Sequence, residues 1–92
     1  MPLELTLGNE VVVLDGSVVE LFHEGVQETI RIHVRFLSVH AKPKDDGETV
    51  LTFAPGPEPY NGFRITVPPD RDGDARAFVD AVGAAKRATL GG

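Results

Sequence analysis

Arg31, His33 and Arg35 alternate with Ile32 and Val34 inside the heptapeptide TIRIHVR, residues 29–35. Two guanidinium groups and an imidazole on one side of an extended chain offer the chemistry of anion binding. A carboxylate or phosphate accepts paired donors from arginine. The same spacing also suits the wet side of a strand, whose cations pair with acids on the neighbouring strand at roughly 0.2–1 kcal/mol each. Glu20, Glu24 and Glu28 stand just upstream, where a hairpin partner would present them. The expectation is therefore a solvated strand face that is already neutralised.

The other reactive residues form no familiar constellation. His23, His33 and His40 lack the spacing of a ligand set, and a metal site needs at least three converging ligands. In DRDGD, Asp70, Asp72 and Asp74 alternate as in a calcium loop. Ala75 and Ala81 stand where that loop requires Gly and Glu, so helix capping is the better account. There is no nucleophile elbow, no glycine-rich phosphate loop and no HExxH. Ser17 and Ser38 have no evident His–acid pair beside them. No catalytic residue, metal or cofactor is expected. PGPEPYNG, residues 55–62, is stiffened by proline and carries the only tyrosine, Tyr60. A rigid loop with an aromatic loses little entropy on binding, so Pro57, Pro59 and Tyr60 are candidate partner contacts beside Arg31, His33 and Arg35.

The 92 residues are enough for one domain, 1–92, with one modest core. Hydrophobic content of 41% beside 25% charged residues is ordinary for a folded chain. The net charge of −5 speaks against nucleic acid and against adsorption to anionic membranes. Its distribution is uneven: the first thirty residues carry six acids and no lysine or arginine, and the first base is Arg31. Cysteine is absent, so no disulfide stiffens the fold. MPLELTLGNE has neither the basic nor the apolar region of a signal peptide, and the expected compartment is the cytoplasm.

The elements that must position these residues are strands followed by one helix. LELTL alternates as a strand. EVVVLDGSVVELFH is a hairpin around Asp15-Gly16, because Gly accepts the positive φ of a tight turn. In its return strand Val19 and Leu21 lie on one face, Val18 and Phe22 on the other. This two-sided pattern suggests a strand in a closed or folded-over sheet rather than an open edge. A further strand, ETIRIHV, loses its period at the adjacent Phe36 and Leu37, which marks a bulge or short turn. Extended structure resumes over Ser38–Lys42, PKDDGE turns the chain, and TVLTFA and FRITV complete the strands before Pro68-Pro69. Ala75, Phe78, Val79, Val82 and Ala85 then fall on one helical face, predicting a helix over about 74–88. Asp72 or Asp74 would cap it, Lys86 and Arg87 would suit its negative end, and Gly91-Gly92 would stop it.

The succession VVVLDGSVVELFHEG, TIRIHVRFLSVHAK, GETVLTFAPG, NGFRITV and DARAFVDAVGAAKRA resembles a bacterial pleckstrin-homology-like domain of the short actinobacterial type, over about residues 10–88. The resemblance implies an α+β fold: a bent antiparallel sandwich or partly open barrel of six or seven strands, plugged by a C-terminal helix through Phe78. It implies no enzymatic activity, but a binding or self-assembly module whose partner is a protein or a second copy. A small-ligand pocket in the bent sheet and peripheral lipid binding are the alternatives. Lipid-binding members hold phosphates with lysine and arginine near the first hairpin. Val11 to His23 has Asp15 and Glu20 there and no base, so membrane binding is not expected.

Overall fold

In the computed structural model, residues 3–23, 29–56 and 62–91 are described, with the His23 side chain outside the description. Seven strands form: β1 (Leu3–Leu7), β2 (Glu10–Asp15), β3 (Val18–His23), β4 (Ile30–His33), β5 (Leu37–Pro43), β6 (Thr49–Pro55) and β7 (Phe63–Val67). They make two antiparallel sheets, β1-β2-β3-β4 and β5-β6-β7, followed by helix α1 (Asp72–Gly91). The architecture is α+β, and the two sheets do not close into one barrel.

The tight turns follow the glycines. Gly16 and Ser17 join β2 to β3 with Gly16 at φ 61°, in register Asp15 opposite Val18. Between β5 and β6, the Lys44 N–H bonds the Glu48 carbonyl at 2.7 Å. Asp46 Oδ1 accepts the Glu48 N–H at 3.0 Å. That backbone donor, helped by Lys44, holds the Asp46 carboxyl below its ordinary value of 3.8. A carboxyl depressed in this way adds to turn stability above its unfolded pKa, and the contribution disappears as pH falls through the folded value.

The break of period at Phe36-Leu37 is a 3-10 turn over Val34–Phe36. The Val34 N–H donates to the Ser17 carbonyl at 2.8 Å, which pins this junction between the sheets to the first hairpin. Val34 itself is fully buried.

Strand alternation supplies the core. Leu5, Leu7, Val12, Leu14, Val19, Leu21 and Ile32 point inward from the first sheet, and Leu37, Leu51, Phe53, Phe63, Ile65 and Val67 from the second. Ala75, Phe78 and Val82 of α1 join them at helical spacing. The Phe53 and Phe63 rings stack with centroids 5.0 Å apart, and Phe78 meets Phe53 edge-on at 6.3 Å. Both geometries are favoured by the ring quadrupole.

The helix departs from its expected ends. It begins at Asp72, entered through a 3-10 turn over Pro69–Arg71. Asp72 has helical φ and ψ, so neither it nor Asp74 is a cap residue. Asp72 instead pairs with Arg76 at 2.8 Å and Asp74 with Arg71 at 3.0 Å. The C-terminal end runs past Lys86 and Arg87 to Gly91, because Ala84, Ala85 and Ala88 propagate helix well. Lys86 donates to the Leu37 carbonyl at 2.7 Å rather than to the helix end.

Phe78→Ala should cost about 3–5 kcal/mol, measured by chemical denaturation, because it empties the space between helix and sheet. Gly62→Ala should cost at least about 2 kcal/mol. A Cβ there would overlap the Phe53 carbonyl and stand 2.6 Å from the Ala54 Cα. A Gly62→Ala variant as stable as the parent would show that β6 and the start of β7 are not so close.

Candidate functional site

Arg31 sits directly opposite Glu20 in the β3–β4 register. Its Nε lies 3.7 Å from Glu20 Oε2. This is the cross-strand neutralisation expected from sequence; Glu24 and Glu28, the other two candidate acids, lie outside the described residues. The three basic residues do not, however, share one strand face. β4 ends at His33, and Arg35 belongs to the 3-10 turn. His33 caps that turn: its Nδ1 accepts the Arg35 N–H at 3.1 Å, and its ring lies 6.1 Å from that of Phe36. Arg35 therefore lies beyond the strand that carries Arg31 and His33.

Arg35 instead borders an open groove of about 430 Å³ with Phe36, Pro55, Gly56 and Lys86. Hydrogen bonds knit this corner. The Gly56 N–H donates to the Phe36 carbonyl at 2.6 Å, the Ser38 hydroxyl to the Gly56 carbonyl, and Ser38 Oγ lies 3.0 Å from His40 Nε2. Phe36 is 64% exposed, the most exposed large apolar residue described. Sequence reasoning passed over it as a possible contact. The signal was present: when Phe36 and Leu37 are adjacent at a turn, one of them must face solvent, and Leu37 is buried. Pro57, Pro59 and Tyr60, the other expected contacts, lie outside the described residues.

A second groove, of about 450 Å³, runs between α1 and the far ends of β5 and β6. Ala41, Leu51, Ala75 and Val79 supply apolar lining, and Asp72, Arg76 and Asp80 stand at it. The strand beside it, β5, pairs only with β6 among the described residues, so its other edge is unpaired there.

No family model, no curated protein and no solved structure matches the chain.

Among the described residues no three His, Asp or Glu side chains gather as a metal would require. Asp72 and Asp74 of the calcium-like motif are each engaged by an arginine. No helix among the described residues is long and apolar enough to cross a membrane.

Arg31→Ala should cost no more than about 1 kcal/mol in denaturant titrations, because the exposed pair with Glu20 contributes only in that range. A loss of about 3 kcal/mol would mean that Arg31 holds more than its cross-strand partner.

Proposed function

We propose that the chain is a non-catalytic protein-binding or assembly module with a bent-sheet fold of the pleckstrin-homology kind. The division into four and three antiparallel strands, sequential within each sheet, supports that fold, as does the terminal helix packed by Phe78. The functional reading rests on the edge of β5 that is unpaired among the described residues and lies beside the groove under α1. An extended segment of a partner would gain main-chain hydrogen bonds along β5. Its alternate side chains would reach toward Ala41, Leu51 and Val79, so a period of two sets specificity. The apolar part of the lining is small and aliphatic, which suits apolar side chains of modest size, and Asp72, Arg76 and Asp80 supply its charged part. Asp72 is occupied by Arg76, which leaves Asp80 to favour a base near the groove.

The acidic balance supports a protein partner over nucleic acid or an anionic membrane, since neither polyanion is attracted to a chain of net charge −5. Between the sheets, Phe53, Phe78, Leu37 and Ile65 fill the interior. A small ligand would therefore be offered the open grooves rather than the space between the sheets.

Random-peptide display on the immobilised chain tests this reading. The expected result is enrichment of extended sequences with apolar residues at alternate positions. Ala41→Glu, at an exposed position of the groove, should abolish that enrichment while moving the melting temperature by no more than about 4 °C. Enrichment of no sequence class, or enrichment indifferent to that substitution, would overturn it.

A further inference from the structure

The outward face of the four-stranded sheet carries an apolar centre that the core does not use. Val11 and Val13 of β2 and Val18 and Phe22 of β3 all point away from the interior and lie outside the buried core cluster. The three valines are half-buried by one another and their neighbours, and Phe22 is 42% exposed. Charges stand at the two sides of this centre. The register places Glu4, Val13, Glu20 and Arg31 in one row across β1 to β4, and Thr6, Val11 and Phe22 in the next. The first row is therefore negative at its β1 end and positive at its β4 end, with Glu20 already engaged by Arg31.

We infer that this face binds a second copy of the chain, the two sheets stacked about a two-fold axis parallel to the strands and passing between β2 and β3. The inference rests on the reading of the chain as a binding or assembly module and names one partner for it. Charge complementarity selects the occupant and the axis. Rotation about the strand direction lays β1 of one copy over β4 of the other. Glu4 then faces the second copy's Arg31 and Arg31 faces its Glu4, two ion pairs related by symmetry. The same rotation sets Phe22 over the second copy's Val11, and Val11 over its Phe22, while Val13 meets the second copy's Glu20, whose carboxylate Arg31 already holds, and Val18 meets its Asp15. Asp15 comes to the rim at the sheet end. The other in-plane axis, across the strands and along that row, would stack Glu4 on Glu4 and Arg31 on Arg31, and like charges would oppose it. A self-complementary patch is what an isologous dimer requires, and an apolar centre inside a charged rim is the ordinary anatomy of an interface.

The face is small. Four strands about 4.8 Å apart and about 17 Å long make a patch of roughly 330 Å² per copy, below the standard size of specific interfaces. Association is accordingly weak, with a dissociation constant of the order of 10–100 μM.

Sedimentation equilibrium of the full chain from about 10 μM to 1 mM tests the inference. The wild type should be a monomer–dimer equilibrium that weakens with salt. Phe22→Ser should shift it to monomer. Arg31→Glu and Glu4→Arg should each weaken it roughly tenfold by setting like charges face to face. The double variant Glu4→Arg with Arg31→Glu should recover most of the loss, which a merely misfolded surface would not. A wild-type chain that stays monomeric at about 1 mM in low salt, or a double variant no better than the singles, would overturn the inference. Peptide display on the groove reads the other surface, so a strict monomer that still selects peptides would remove only the dimer. A dimer that selects none would remove only the groove.

Discussion

The contact on which the rest of the architecture depends is the edge of the Phe78 ring against the face of Phe53, itself stacked on Phe63. A chain of this size leaves an unusually large share of its surface to solvent, so one large contact carries more of the total than it would in a bigger domain. The rings bind α1 to the second sheet, and contacts of α1 with β1 and with the Val34–Phe36 turn extend its reach to the first. The Lys86 bond to the Leu37 carbonyl fixes the helix at the junction of the sheets. With the helix held there, its N-terminal half stands over Leu51 and leaves the groove beside β5 open.

Most of this frame was legible as periodicity. Alternation at Leu3–Leu7 and Phe63–Val67 marks strands and their inner faces, because a period of two leaves little freedom once one face must be buried, and Asp15-Gly16 between β-branched runs marks the first hairpin. The helical face of Ala75, Phe78 and Val82 was equally plain. What escaped was set by contacts distant in sequence. Lys86 was assigned to the helix dipole, and its partner is a carbonyl forty-nine positions away. Asp72 and Asp74 look like caps on local grounds, yet Pro68-Pro69 start a 3-10 turn that carries the chain into the helix before either aspartate can take that position. The end of the strand that carries the basic triplet lies at the same kind of point. Alternation was extrapolated through Arg35, one turn beyond the end of β4, where the buried Val34 redirects the backbone.

The apolar residues on both faces of β2 and β3 were also readable, and their meaning changed in three dimensions. On sequence alone they suggest a closed or folded-over sheet, and the two sheets do not close. The inner residues do meet the helix and the second sheet, but Val11, Val13, Val18 and Phe22 turn outward and nothing in the described core covers them. Single exposed apolar side chains need no explanation, whereas a contiguous group at the centre of a sheet face has a cost in solvent that some burial would offset.

The strand order gives that face its polarity. The first four strands lie side by side in the order of the chain, so an asymmetry along the sequence becomes an asymmetry across the sheet. Acids without a base occupy the first thirty residues, and Arg31 is the first cation. Laid out as β1 to β4, that run places Glu4 at one edge and Arg31 at the other, with Val13 and Glu20 between. A crossover topology would have scattered the same residues, and their pattern would then record composition alone. In this fold the one-dimensional charge gradient survives as a two-dimensional one, and a surface with opposite signs at its two sides is complementary to its own rotated image.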